Sequence, residues 1–226
     1  MNLGHDSWVT PRGEVGGCAL WTVDLDAPVP AALVDALSAS ERERAGRFVH
    51  PHHRRRYQAA HAALRLVLGS WLDRDPASLR FETGPHGKPG LPAGQGPAFN
   101  LSHSEATALI ALDATRRAER RIGVDVELPR PIADRDALAR NCFDAPERAD
   151  LRTRDALAQD DFFLQGWTRK EACLKAVGDG FSSDRIPSTG IDTTARHVDL
   201  PGGARAWLTS LALPRVIAAL AVIEPA

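Results

Sequence analysis

The chain carries Val124-Asp125-Val126-Glu127 at the end of an apolar-rich run, and a close copy, Val23-Asp24-Leu25-Asp26, ends a similar run 101 residues earlier. Both runs have the composition of a β-strand. A charged helical start follows in each case, LSASERERA at 37–45 and FDAPERADL at 143–151, with a small or acidic residue before it. Similar features in the same order indicate an internal duplication.

The rest of each copy repeats the same sequence of elements. A long helical pattern covers about 53–72 in the first copy and 156–177 in the second. Short β-like runs come next, at 79–82, 98–101 and 107–112, and then at 197–200, 204–211 and 216–223. We therefore predict an α+β fold in which each half is a small antiparallel sheet with a long helix. The halves, 1–115 and 116–226, are expected to pack as a pseudo-two-fold dimer, with a polar boundary near 113–121.

Composition limits the partners of the protein. A length of 226 residues with 43% hydrophobic residues is enough for a substantial core and excludes wholesale disorder. The net charge of −1 gives no global field that would attract nucleic acid or an anionic membrane. The longest aliphatic run, at 216–223, is far shorter than the ~20 residues of a membrane helix. Residues 1–17 have neither the basic start nor the apolar stretch expected of a secretory signal, and the sequence contains no CxxC pair. We expect a cytoplasmic monomer without a nucleic-acid or membrane partner.

Three acids are candidates for a metal site. Asp125 and Glu127 are two residues apart on a predicted strand, so their side chains share one face and can converge on a hard cation such as Mg²⁺ or Mn²⁺. Glu171, in WTRKEACLKAVGDG, lies one helical turn before Lys175 and beside the apolar face of its helix. Ordinary surface charges on the strand and an i,i+4 Glu–Lys pair on the helix are the alternatives that the residues alone leave open.

Three further parts of the sequence could bind an anion. Ser102 and His103, in FNLSHSE, could both donate to a phosphate or could simply stabilise a turn. Lys88 lies in the Gly- and Pro-rich loop GPHGKPGLP, where it is either a point charge for phosphate or a solvated loop tip. Six arginines are concentrated in one segment, as a binding patch or a solvated helix face, namely Arg42, Arg44, Arg47, Arg54, Arg55 and Arg56.

Four short motifs in a fixed order connect these residues. GKP at 87–89, FNLSHS at 99–104, GVDVE at 123–127 and WTRKEACLKAVGDG at 167–180 closely resemble the 4′-phosphopantetheinyl transferases, in particular their larger, single-chain kind that activates carrier domains of peptide and polyketide synthetases. The resemblance covers about 37–181. It implies a pseudo-two-fold pair of α+β halves with the active site between them, and transfer of 4′-phosphopantetheine from coenzyme A to a serine of an apo acyl or peptidyl carrier domain, releasing adenosine 3′,5′-bisphosphate.

The resemblance also assigns roles. It implies that Mg²⁺, with Mn²⁺ as an alternative, binds Asp125, Glu127 and Glu171. Lys175 would stabilise or protonate the leaving phosphate, and the base would be Glu171 or a metal-bound water. The acid pair of the first copy, at 24 and 26, is expected to bind no catalytic metal.

Coenzyme A would lie across the cleft, and the resemblance places its phosphates near four residues, namely Arg56, Lys88, Ser102 and His103. Arg56 is the best match for a 3′-phosphate contact, whereas Glu41 stands where some relatives have a basic residue.

Two other functions remain open at this stage. The same acids could serve a Mg²⁺-dependent hydrolase of coenzyme A or of a nucleotide pyrophosphate, or the chain could be a non-catalytic coenzyme A binding module. The sequence does not identify the carrier protein, nor a preference for free over acylated coenzyme A.

Overall fold

A computed structural model describes residues 8–84, 87–115, 117, 119–178, 188–190 and 194–225. The elements of the first half are β1 (Val9–Val15), β2 (Cys18–Asp24), α1 (Ala31–Asp35), α2 (Ala39–Gly46), α3 (Pro51–Leu72), β3 (Glu82–Thr83), β4 (Pro89–Gly90), β5 (Phe99–Ser104) and β6 (Thr107–Asp113). Four of its strands form an antiparallel sheet in the order β1-β2-β6-β5. The long helix α3 packs on this sheet, and Trp21, Leu64, Leu68 and Ile110 belong to the shared core.

The second half repeats this plan. Its elements are β7 (Arg121–Glu127), α4 (Arg135–Cys142), α5 (Ala145–Arg152), α6 (Gln159–Val177), β8 (Arg196–Asp199), β9 (Arg205–Leu211) and β10 (Ile217–Ile223). Its sheet has the order β7-β10-β9-β8, again antiparallel, and the long helix α6 packs on it. The order β2-β6-β5 in one half thus corresponds to β7-β10-β9 in the other, and the predicted α+β fold is confirmed.

The helix starts of the two copies use the same device. Ser38 caps α2 and Asp144 caps α5, and in both a glutamate three residues later accepts a hydrogen bond from the backbone N–H of the cap residue. Both glutamates are buried and pair with a cation on the long helix of their own half. These ion pairs are Glu41 to Arg65 Nη2, at 2.7 Å, and Glu147 to Lys170 Nζ, at 2.8 Å. The repeat therefore extends from the strands into buried electrostatics.

Two parts of the first half differ from the sequence prediction. Strand β1 was not predicted, because Pro11 and Gly13 interrupt its pattern; the structure absorbs them in an irregularity of register between 11 and 14. The run 79–82, predicted as a strand, contributes only its last residue to a two-residue strand. There the carbonyls of Pro76 and Leu79 accept hydrogen bonds from Arg65 instead of forming a ladder.

The two halves share a core. The edge strand β5 of the first sheet lies beside the edge strand β7 of the second. Leu20 and Leu109 of the first sheet pack in one buried cluster with Val124 and Leu220 of the second. Each sheet takes its strands from one of the predicted halves, although the boundary at 115/116 and the pseudo-two-fold relation remain predictions. In the part of the chain that the structure describes, no helix has the length and apolarity needed to cross a membrane.

Candidate active site

The candidate site lies on the seam between β5 and β7, the facing edge strands of the two sheets. Asn100 accepts a hydrogen bond from the backbone N–H of Val124, at 2.8 Å. Two residues further along β5, Ser102 donates to Asp125 Oδ1, at 2.7 Å. These side-chain bonds join β5 to β7, which belong to separate sheets, and they fix the position of β7 along β5.

Asp125 is the most enclosed of the three predicted acids, with 5% of its surface exposed. Lys175 Nζ donates to its Oδ1 at 2.6 Å and to Ser102 Oγ at 2.9 Å. Burial raises the pKa of Asp125, and this effect outweighs the opposing attraction of Lys175 and the bond from Ser102. Its other oxygen, Oδ2, is buried and has no hydrogen-bond partner among the described residues, so one hard acceptor is left for a ligand.

Glu127 and Glu171 complete the acidic group. Glu127 Oε2 accepts from Ser104 Oγ at 2.6 Å and from Arg130 Nη1 at 2.6 Å. Glu171, on α6, has a raised pKa, first because of burial and further because Asp125 and Glu127 repel its charged form, while Lys175 acts in the opposite direction. The structure thus brings the three predicted acids into mutual electrostatic contact.

A glycine determines how closely α6 approaches β7. A Cβ placed on Gly123 would lie 2.2 Å from the carbonyl oxygen of Ala172 and 2.4 Å from the backbone nitrogen of Ala176. Only glycine allows the helix backbone to rest directly on the strand here. Because Glu171 and Lys175 belong to the same helical turns, this contact delivers both side chains to Asp125.

The three acids have the oxygen ligands that a hard divalent cation requires, although their side chains do not surround one common point. Among the described residues, no three His, Cys, Asp or Glu side chains converge closely enough to hold a metal ion. The Lys175 ammonium occupies the position next to Asp125 Oδ1. Carboxylate oxygens are the ligands that Mg²⁺ prefers. A cation bound here would give the buried Oδ2 of Asp125 a partner and would reduce the repulsion between Glu171 and the two acids on β7.

A cavity of about 650 Å³ opens on the first-half side of the seam. Its wall includes cationic and aromatic side chains, among them Arg44, Tyr57, His61, Arg65 and His103. The Arg44 guanidinium lies 5.8 Å from the centroid of the Tyr57 ring. Partial burial lowers the pKa of His103, and the nearby Lys175 lowers it further. This combination of flat and basic groups suits a nucleotide carrying phosphate.

Glu41 has a structural reason to be acidic in this basic wall. It lies 3.1 Å from His61 Nδ1 and receives a hydrogen bond from Arg65. Burial by itself would raise the pKa of Glu41, but the bonds from His61, Arg65 and Ser38 outweigh it and lower the pKa to about 2. Glu41 therefore holds two side chains that line the cavity, His61 and Arg65, and stabilises the start of α2.

Lys88 is directed to backbone carbonyls. Its ammonium donates to the carbonyl of Ile122, at 2.8 Å, and to that of Lys175, at 2.6 Å. It thereby ties the GKP loop to both β7 and α6. Burial lowers its pKa to about 8, with contributions from Arg121 and Lys175. A phosphate would meet a lysine that already has two acceptors.

Arg56 is also engaged by other residues. Its guanidinium binds both oxygens of Asp26, at 2.8 Å each, and Glu105 Oε2 at 2.9 Å. It lines a small cavity of about 160 Å³ together with His103 and Tyr57, so a phosphate there would compete with two carboxylates. In the same basic segment, Arg44 lines the larger cavity.

Sequence reasoning did not single out Asn100, Ser104 or Arg130. The first two could have been found, because Asn100, Ser102 and Ser104 alternate along FNLSHS and must point to the same side of a strand. Arg130 follows β7 in a loop and carries no such signal. Together, the seam of carboxylates and the adjoining basic, aromatic cavity have the chemistry that suits a phosphorylated, nucleotide-like ligand.

Comparison with known proteins identifies the family. A profile described as the 4′-phosphopantetheinyl transferase superfamily matches residues 121–212. Over 168 residues the chain is 40% identical to the 4′-phosphopantetheinyl transferase HetI of Nostoc sp., covering 72% of this chain and 69% of that protein. It is 32% identical over 195 residues to a putative 4′-phosphopantetheinyl transferase of Synechocystis sp., covering 84% and 78%. It is also 32% identical over 146 residues to the 4′-phosphopantetheinyl transferase Sfp of Bacillus subtilis, covering 65% and 62%.

The chain therefore belongs to the 4′-phosphopantetheinyl transferase superfamily. It is a transferase of the 4′-phosphopantetheine group, which confirms the resemblance seen in the four motifs.

Proposed function

We propose that the protein transfers 4′-phosphopantetheine from coenzyme A to the acceptor serine of apo acyl or peptidyl carrier domains, with Mg²⁺ or Mn²⁺, and releases adenosine 3′,5′-bisphosphate. The observation that carries the proposal is the unpartnered, buried Oδ2 of Asp125, beside two further carboxylates and a lysine. That arrangement adjoins a cavity with the chemistry of a nucleotide site, and His103 borders both.

The bound nucleotide end of coenzyme A is assigned to the 650 Å³ cavity. Arg44 and Arg65 supply positive charge there, and the Tyr57 ring offers a face for the adenine. Such a cavity has the size of known small-molecule sites. In this position the pyrophosphate would point past His103 toward the seam.

The seam residues divide the remaining tasks. Asp125, Glu127 and Glu171 would hold the divalent cation, which supplies neutralising charge to the pyrophosphate when bound. Lys175 lies at the same point and can donate a hydrogen bond or a proton to the leaving phosphate. Glu171 is then also a candidate to accept the proton of the attacking serine.

The anion contacts proposed for Ser102, Lys88 and Arg56 require changes of partner. Ser102 currently donates to Asp125, and Lys88 donates to two carbonyls. Arg56 would have to exchange Asp26 or Glu105 for a phosphate oxygen. We keep these assignments as part of the proposal, because Ser102 and Lys88 contact Asp125 and Lys175 at the seam, and Arg56 lines a small cavity that shares Tyr57 and His103 with the larger one.

A loading assay tests the proposal. Purified protein is incubated with coenzyme A, MgCl₂ and a panel of apo carrier domains, and the carriers are weighed by mass spectrometry. At least one carrier should gain one phosphopantetheine mass, and this gain should require the metal. If no carrier were modified while adenosine bisphosphate accumulated, the protein would be a hydrolase of coenzyme A.

Two variants test the assignment of the acids. Glu127→Gln and Glu171→Gln keep the side-chain shape but remove the charge, so they should abolish loading without changing the thermal unfolding temperature by more than a few degrees. Glu14→Gln, an exposed glutamate on β1, is the matched control and should load normally. Full turnover by both seam variants would contradict the metal assignment.

A further inference from the structure

Three polar side chains on β5 face β7 in a regular series. Asn100, Ser102 and Ser104 each bind β7 or the residue after it, and each is two positions from the next. Of the three, Asn100 binds only backbone, and Ser102 is shared between Asp125 and Lys175. Ser104 is the member that contacts Glu127.

The contacts of Ser104 control one carboxylate oxygen. Its hydroxyl donates to Glu127 Oε2 at 2.6 Å and accepts from the backbone N–H of Leu128 at 3.4 Å. A hydroxyl has a single hydrogen to donate, so here it is committed to Glu127. The bond to Leu128 fixes the direction of the hydroxyl. Ser104 itself is held by pairing of β5 with Thr107 on β6.

The same division of oxygens occurs at both acids on β7. Asp125 Oδ1 is taken by Ser102 and Lys175, while Oδ2 has no partner among the described residues. Glu127 Oε2 is taken by Ser104 and Arg130, and no hydrogen bond to Oε1 is found in the described part of the chain. Each carboxylate is therefore anchored through one oxygen and presents the other.

We propose that Ser104 is a positioning residue that orients Glu127, so that Oε1 is presented to the divalent cation of the transfer reaction. This inference rests on the proposed function, because it assumes that Glu127 binds a cation. A serine is suited to the task since it fixes the carboxylate without adding charge that would compete with the metal. Arg130 neutralises the anchored oxygen, but its side chain is 46% exposed and on a loop, so it fixes the direction less tightly.

The test measures metal binding apart from turnover. Mn²⁺ binding in the presence of coenzyme A, without carrier, is followed by electron paramagnetic resonance for the wild type, Ser104→Ala, Ser104→Thr and Ser70→Ala. Loss of a hydrogen bond to a charged group should weaken Mn²⁺ binding by about tenfold in Ser104→Ala. Ser104→Thr keeps the hydroxyl and should restore binding to within about threefold. Ser70, exposed on α3, is the matched control and should change nothing.

Steady-state loading separates positioning from general damage. In Ser104→Ala the KM for Mg²⁺ should rise, with kcat at saturating Mg²⁺ within about twofold of wild type and the KM for coenzyme A unchanged. A variant that had merely lost folded protein would show lower kcat at an unaltered KM for Mg²⁺, and that result would overturn the inference. If Ser104→Ala does not fold, Ser104→Thr decides: Mn²⁺ affinity within about threefold of wild type supports the inference, and clearly weakened Mn²⁺ affinity in a folded Ser104→Thr variant would overturn it.

Failure of the proposed function has a different signature. If the wild type loads no carrier and binds no Mn²⁺, the function itself is wrong. If the wild type does both and Ser104→Ala binds Mn²⁺ as tightly, the function stands and the positioning role falls.

Discussion

Replacing Gly123 with alanine should move α6 away from β7. The added Cβ would lie 2.2 Å from the carbonyl oxygen of Ala172 and 2.4 Å from the nitrogen of Ala176. Both are backbone atoms of a hydrogen-bonded helix, so no side-chain rotation can make room. The effect is steric in origin, because Gly123 does not have the positive φ that would strain alanine.

The size of the effect follows from the overlap. To restore an ordinary contact of about 3.5 Å, helix and strand must separate by about 1 Å. Extra methyl groups in a packed core typically cost about 1–3 kcal/mol, and a backbone clash falls at the upper end of that range. Glu171 and Lys175 would be displaced together with the helix. A displacement of about 1 Å in catalytic groups costs on the order of 100-fold in rate.

Two measurements on Gly123→Ala check this reasoning. Urea unfolding should show a loss of about 2–3 kcal/mol, and carrier loading should fall by about 100-fold under conditions where the protein remains folded. Gly46→Ala on α2 is the control, because a Cβ there meets nothing within 4 Å and helix propensity favours alanine. If Gly123→Ala unfolded within 0.5 kcal/mol of wild type and loaded carriers at the normal rate, the close approach of α6 would not be what positions the site.

Three further changes have defined outcomes. The pKa of Glu41 is about 2 in the folded protein against a usual 4.5. The ionised carboxylate therefore stabilises the fold by on the order of 3 kcal/mol above pH 4.5, and this stabilisation is lost as the pH falls toward 2. In urea unfolding, the stability advantage of wild type over Glu41→Gln should shrink from pH 5 to pH 3. Lys175→Met leaves Asp125 buried without its cation and should cost about 3–5 kcal/mol; in thermal unfolding, Mn²⁺ should stabilise this variant more than wild type. Asn100→Ala leaves the Val124 N–H without an acceptor and should cost about 1–3 kcal/mol in urea unfolding; an unchanged midpoint would contradict this role.

Much of the fold could be predicted because it depends on local pattern. The long helices α3 and α6 show apolar residues at three-to-four spacing, and they lie within three residues of the predicted bounds. The capping residues Ser38 and Asp144 follow from the preference of short polar side chains for helix starts. Strand β1 could not be predicted, since its pairing with β2 is decided by tertiary contacts that override Pro11 and Gly13.

The candidate site was only partly accessible to sequence reasoning. The spacing of Asp125 and Glu127 predicts a shared face, and the family motifs add Glu171. The sequence does not show which residues, distant in the chain, become the hydrogen-bond partners of each charged side chain. Lys88 reaches the carbonyl of Lys175, 87 residues away, and no local pattern predicts such a contact.

Among the described residues, the acid pairs of the two predicted copies have different surroundings. In the first copy both oxygens of Asp26 are bound by the Arg56 guanidinium, and the backbone N–H of Asp26 satisfies Asp24 Oδ1. In the second copy the equivalent acids are anchored through one oxygen each, and Asp125 keeps a buried oxygen without a partner among the described residues. A buried carboxylate oxygen is costly to leave unpaired. In the first copy Asp24 and Asp26 are exposed, so no such cost arises there, and Arg56 of the long helix pairs with Asp26. In the second copy the cost is retained at the seam, and it is this cost that the proposed cation would relieve.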